Sequence, residues 1–331
     1  MSAQLLFLSG QISVLEAQLL QSGQLDRMIG ASTPEEAFRV LSELSYAQYF
    51  DEDLRASHFT QVLARGLLET KHFLDESLDN GNHSMLLWLK YDLNNIKRAA
   101  KDRLLFGKES LTDFTDDNGY INLGNLDLPS LQAFIFEGAS VDLLPREITK
   151  TVLDFFAKED PQIRDLDQSL DRAYLQAFLR LSKSSGEGLK HYAKAQIDSY
   201  NLRSLLRNVT MIGSQTDWIS GGTLGSEDFG SVTDLDSFMK VTRNTDYSLM
   251  LEAMKEALPL EQQLNQFESL MDSRLSDLMK ELSQGSDGLL KVLYYFERRW
   301  NNARMIKVIM FGKFYGLEPH VIEEKLKPLS Y

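Results

Sequence analysis

The residue types in this chain that could do chemistry are five histidines, a surplus of carboxylates and a few glycine-rich stretches. A phosphate-binding loop needs Gly-x-x-x-x-Gly-Lys-Ser/Thr, so that backbone amides wrap the phosphates and a hydroxyl reaches magnesium. Gly107-Lys108 is followed by Glu109 and Gly312-Lys313 by Phe314, so neither is such a loop. Ser220-Gly221-Gly222-Thr223-Leu224-Gly225 would suit a phosphate, but it follows a helical pattern rather than a strand and reads as a flexible linker. His58, His72, His83, His191 and His320 are scattered, with no i, i+4 pair to hold zinc. The acid runs Asp51-Glu52-Asp53 and Asp116-Asp117 lack the oxygen-ligand spacing of a calcium loop and read as solvated surface. No Gly-x-Ser-x-Gly elbow is present, and the absence of cysteine removes disulfides, thiolate metal sites and thiol redox chemistry together. The expectation is therefore no catalytic group, no metal and no cofactor.

Charge narrows the partners. The 331 residues carry 35 Lys and Arg against 48 Asp and Glu, a net charge of −13. Binding to nucleic acid or to an anionic lipid surface requires positive charge to neutralise phosphates, so neither is expected except through a local basic patch. The first basic residue is Arg27 and the run Leu5 to Leu8 is short, so no secretory leader is expected. The apolar runs read as a helical turn or so, well below the ~18 residues of a membrane span, so any membrane association is expected to go through a protein partner.

These side chains must be positioned by helices. Only 20 Gly and 7 Pro occur, and alternating Val/Ile/Thr runs are scarce, which predicts an all-α chain. Thr33-Pro34-Glu35-Glu36 predicts a helix start, with Thr33 as N-cap, Pro34 at the first position and Glu36 closing a capping box. Ala37, Val40, Leu41 and Leu44 follow at helical spacing. Longer apolar stripes run through Leu89 to Leu104, Ile197 to Ile212 and Leu293 to Ile306. Breaks at Gly107 to Pro129, with its Asp116-Asp117-Asn118-Gly119 turn signal, and at Gly213 to Gly230 cut the chain into thirds.

Each long helix carries asparagine, an apolar residue and a base. The copies are Asn95-Ile96-Lys97, Asn201-Leu202-Arg203 and Asn302-Ala303-Arg304, with asparagines 106 and 101 residues apart. An acid stands three residues earlier in two copies, as Asp92 and Asp198; the third has Arg299 there. Gly107, Gly213 and Gly312 close the three segments. A triplicated helical unit is predicted, with lobes at 1–115, 116–228 and 229–331. The Asp and Asn share a helix face, which predicts a buried polar link fixing how each helix packs. Lys97, Arg203 and Arg304 have two open placements: toward a shared interior, or onto an acid of their own lobe.

Several ordered segments then resemble one family, the central-stalk C subunits of vacuolar/archaeal-type rotary ATPases, whose eukaryotic counterparts are the d subunits. They are Val14 to Leu20 with Asp26 to Ser32, Glu36 to Leu41 leading to Tyr46, and Leu89 to Lys97. Further on come Leu170 to Tyr174 with Ile197 to Arg203 and Leu206-Arg207, and then Asn302 to Lys313 with Gly316-Leu317 and Ile322. Two departures stand out: Arg299, where the family usually has an acid, and the lack of the early tyrosine and arginine pattern before Glu16.

The resemblance implies three similar helical lobes forming a pseudo-threefold funnel. It also implies a non-catalytic rotor part on the cytoplasmic face of the membrane. Its partners would be the shaft subunits D and F and the proteolipid ring, with no nucleic acid and no direct lipid insertion. A helical-repeat adaptor unrelated to rotary motors fits the composition and the period but not the ordered motif set. An enzyme with an unrecognised helical site lacks clustered catalytic residues.

Overall fold

Helices account for every regular element among the described residues of the computed structural model, which are 3–50, 53–78, 81–114, 119–210, 218–243, 245, 247–248, 260–284 and 288–329. The chain is all-α. Asp51-Glu52, Asp116 to Asn118, Ile212 and Gly213 lie outside the described residues.

The backbone divides into two compact units, one comprising Met1–Asp92, Phe114–Asn125 and Ser286–Tyr331, the other Leu93–Asp113 and Leu126–Gly285. The first holds helices α1 (Ala3–Leu15), α2 (Ser22–Gly30), α3 (Pro34–Val40) and α4 (Phe59–Ser77). The long helix α5 (Gly81–Leu105) is counted in the first unit as far as Asp92 and in the second from Leu93. The second unit continues through α6 (Leu128–Phe136), α7 (Arg146–Phe156), α8 (Ile163–Ser182) and α9 (Glu187–Thr210). Next come α10 (Ser226–Phe229), α11 (Leu235–Thr242) and α12 (Leu260–Gln284). Helices α13 (Leu289–Phe314) and α14 (Pro319–Leu326) return to the first unit.

The core of the first unit is aromatic. Trp88 of α5 is fully buried edge-on against Phe296 of α13, with ring centroids 4.6 Å apart, and Tyr91 adds an edge contact to Trp300 at 5.4 Å. The indole N–H is also satisfied: Trp88 Nε1 donates to Asp75 Oδ1 of α4 at 2.6 Å. Asp75 further accepts from Ser84 Oγ (2.5 Å) and Lys71 Nζ (2.6 Å), so one carboxylate ties α4 to α5. In the second unit α7 packs on α8, α8 on α9 and α9 on α12. Leu202, Leu206, Phe229, Phe238, Phe267 and Met271 form one buried cluster there, and Leu175, Ile197 and Ile219 another.

The start of α3 obeys the predicted chemistry with one change. Thr33 Oγ1 accepts from Glu36 N (3.2 Å), but the Glu36 carboxylate reaches Ser32 N (2.8 Å), one residue upstream of the N-cap. The helix stops at Val40 and tightens into a 3₁₀ turn over Leu41–Glu43, after which Leu44 is extended, so the helical spacing of Leu41 and Leu44 overstates its length. Gly107 does follow a helix end, with φ +62° just past α5. Gly312 does not: it lies within α13, where a Cβ would stand 2.7 Å from Ile322 Cγ1 of α14. The left-handed residue after α13 is instead Gly316, at φ +66°.

The N-terminal segment is more apolar than its short uninterrupted runs suggest. Within Ala3–Gly30 an 18-residue stretch reaches a mean hydropathy of 1.2, long and apolar enough on composition alone to cross a membrane. Its helical path is nevertheless broken, with Leu19 and Gln21 in extended backbone between α1 and α2. Leu8, Ile12, Leu19 and Met28 are buried in the first unit, while Leu6, Phe7 and Val14 are exposed.

Two substitutions should move stability in opposite directions in urea unfolding. Trp88→Ala empties a fully buried site and orphans an Asp75 contact, and should cost about 3–5 kcal/mol. Gly10, exposed inside α1 with open space around it, should gain about 0.5–1 kcal/mol on conversion to alanine.

Candidate functional site

The repeated residues of the long helices form a set of polar clasps, each built by a helix side chain and a loop that returns to it. Asp92 of α5 is fully buried, and its Oδ2 accepts from Asn125 N (2.9 Å) and Asn125 Nδ2 (2.7 Å). Asp198 of α9 is equally buried and receives both backbone N–H groups of Thr223 and Leu224, at 2.9 and 3.1 Å, together with the Thr223 hydroxyl. A buried carboxylate without such donors would be prohibitively costly. Each loop approaches through glycine, Gly124 in one case and Gly222 in the other, where a Cβ would overlap the carboxylate oxygen.

Asn201 completes the second clasp. Its amide exchanges two hydrogen bonds with the backbone of Ile219, accepting from Ile219 N at 2.9 Å and donating to Ile219 O at 2.8 Å. Ser220 to Gly225 is therefore no flexible linker. Its amides hold an anion, and that anion is the chain's own Asp198. Asn95 is buried on α5. In the third copy, Asn302 is half-buried; with its amide oriented to satisfy both ends, its oxygen accepts from Leu20 N (2.7 Å) and its nitrogen donates to Arg298 O (3.2 Å). Arg299 stands where Asp92 and Asp198 stand in the other copies. Being a donor, it cannot hold loop amides, and it instead donates to Ser45 Oγ and lies over the Tyr46 ring at 4.5 Å.

The basic positions take a second role. Lys97 Nζ binds Asp171 of α8 at 2.6 Å, and one turn later Lys101 binds Asp167 at 3.2 Å. Arg203 binds Asp272 of α12 at 2.6 Å, and one turn later Arg207 binds Glu268. These are two copies of one antiparallel two-rung ladder. The bases are offset from copy to copy as Asn95 is from Asn201, and the acids as Asn201 is from Asn302. The acids do not come from the bases' own thirds of the sequence: Asp171 lies in 116–228 and Asp272 in 229–331, so each ladder joins one third to the next. Arg304 is exposed.

Sequence reasoning missed the second rungs, although the i, i+4 spacing of Lys97/Lys101, Arg203/Arg207, Asp167/Asp171 and Glu268/Asp272 carried the signal. It also missed Asp75, whose partners Ser84 and Trp88 lie in another helix. Among the described residues, no three His, Asp or Glu side chains gather as a metal site.

The two kinds of contact should differ sharply in worth. The ladder pairs are partly solvated, so a Lys97→Ala, Asp171→Ala double-mutant cycle should return a coupling of at most about 1 kcal/mol. Asp198→Ala orphans several loop donors and should cost roughly 2–5 kcal/mol, with Gly222→Ala in the same range because its methyl evicts the carboxylate. Urea unfolding of the five variants ranks them, and a ladder coupling larger than the Asp198 cost would reverse the assignment of which contact holds the fold.

A family model described as ATP synthase (C/AC39) subunit matches residues 8–325. The C subunit of the V-type ATP synthase of Deinococcus radiodurans is similar to the chain, at 21% identity over 348 aligned positions that cover 97% of this chain and 90% of the relative. A match across nearly the whole length, on a helical chain with repeated clasps, establishes that this protein belongs to the ATP synthase (C/AC39) subunit family.

Proposed function

We propose that the chain is the non-catalytic central-stalk subunit of a vacuolar/archaeal-type rotary ATPase. In this reading it joins the rotor shaft of subunits D and F to the proteolipid ring, as a peripheral protein on the cytoplasmic face of the membrane. It passes torque between them, for ATP-driven ion transport or for ATP synthesis. Three helical lobes, at 1–115, 116–228 and 229–331, surround a pseudo-threefold axis on which the shaft tip is received.

The observation that carries the reading is the recurrence of clasp and ladder about a third of the chain apart. Such recurrence is what a body made of similar lobes requires, and family membership supplies the context of the complex. A torque-bearing coupling must resist shear between helices. Loops pinned to buried carboxylates and ladders joining successive thirds both oppose such sliding.

Partner contacts need surface to bury. Large apolar side chains left exposed on α1 (Leu6, Phe7, Val14) and around the end of α13 (Phe311, Phe314, Tyr315) supply it in the first unit, and Leu105, Phe106 and Leu143 do so in the second.

Co-expression of the full chain with the D and F subunits of its source organism, followed by native mass spectrometry, tests the reading. A 1:1:1 complex is expected. A folded chain that joins neither the shaft nor the detergent-solubilised ring would overturn the proposal.

A further inference from the structure

Arg299 is the one long-helix position at which the polar clasp changes sign, and it borders a cavity. The cavity lies wholly in the first unit, has a volume of about 710 Å³, and is lined by Val14, Leu15, Leu44 and Phe73 on apolar sides and by Arg299, Tyr295, Glu69 and Ser45 among its polar residues. That volume falls within the range of small-molecule sites.

Arg299 is 95% buried, at 5% relative exposure, and has no carboxylate within ion-pairing distance among the described residues. Among the described residues its Nε–H makes no hydrogen bond, while Nη1 donates to Ser45 Oγ. The Tyr46 ring face offers partial compensation for the charge. The neighbouring phenols supply none as anions, because burial raises the hydroxyls of Tyr46 and Tyr295 above the ordinary range and keeps them protonated. The other acid at the cavity, Glu69, is already occupied: it accepts from Tyr49 Oη (2.6 Å), Gln48 Nε2 (3.1 Å) and Arg65 Nε (3.3 Å). A buried guanidinium without an anion is a costly arrangement unless something completes it.

We propose that this cavity binds a small amphiphilic monocarboxylate, its carboxylate on Arg299 and its apolar body against Val14, Leu15, Leu44 and Phe73. A planar guanidinium matches a carboxylate in shape and charge. A single cation with Glu69 in the same cavity favours a monoanion over a phosphate dianion, and the aliphatic lining favours a ligand with a hydrocarbon body over a free inorganic ion.

The test uses the purified full-length chain and octanoate as the probe, below its micellar concentration. Octanoate at saturation should raise Tm by about 5 °C. Octanol, octylamine and inorganic phosphate should leave it unmoved. Arg299→Met exchanges an uncompensated buried charge for an apolar side chain of similar length, so it should fold, as checked by circular dichroism, and lose the octanoate response. In parallel, a diazirine-bearing octanoate photolysed with the wild-type chain should label peptides containing Val14, Leu15 or Phe73. No shift with octanoate, an equal shift with octanol, a response retained in Arg299→Met, or labelling confined to other peptides would each overturn the assignment. Should Arg299→Met fail to fold, the labelling map alone decides.

Discussion

Two carboxylates with no exposure to solvent, Asp92 and Asp198, must be met by hydrogen-bond donors inside the fold. Each lies on the apolar stripe of a long helix, and each is tolerable there only because a loop turns its N–H groups onto it. That requirement fixes where the loop after each long helix must run, and so where the next helix begins. It also dictates glycine at the point of approach, since Gly124 and Gly222 stand where any side chain would strike the carboxylate. The apolar packing above and below, from Trp88 and Phe296 in one unit to Leu202 and Phe267 in the other, is arranged around helices already registered by these contacts.

The third copy shows the effect of inverting the charge. With Arg299 in the acid's place the helix offers donors rather than acceptors, and amides can no longer be held there. The partners become the Ser45 hydroxyl and the Tyr46 face. Gly66 of α4 has the same local necessity as Gly124, since a Cβ there would meet the Tyr46 ring at 2.7 Å. Asn302 keeps its role by holding Leu20 N, a backbone group from the start of the chain. The repeat thus persists in how a helix asparagine grips a neighbouring backbone, while its ionic element has been replaced.

The helices were legible because their information is local. Thr33-Pro34-Glu35-Glu36 specifies a start through capping chemistry, and the stripes from Leu89 and Leu293 specify buried faces through spacing alone. The repeated asparagines were legible because the same pattern occurs three times. The features that escaped have their cause in a distant residue. Gly222 looks like freedom in the sequence, and only the position of Asp198 reveals it as a close approach. Gly312 looks like a stop signal, and only Ile322 explains it as a packing notch. Lys97 announces a charge but not that its acid, Asp171, lies in the next third of the chain. The apolar character of Ala3–Gly30 was hidden by counting uninterrupted runs, since polar residues are interspersed through it.

In this member of the ATP synthase (C/AC39) subunit family, the proposed transmission of torque rests on loops that behave as parts of the helical body rather than as connectors. Native-state hydrogen exchange at the amides of Asn125, Ile219, Thr223 and Leu224 measures this directly. The account predicts that these amides exchange only through global unfolding, with protection matching that of Trp88 and Leu202 in the helices they clasp. Fast exchange at the four loop amides while the long helices stay protected would contradict it.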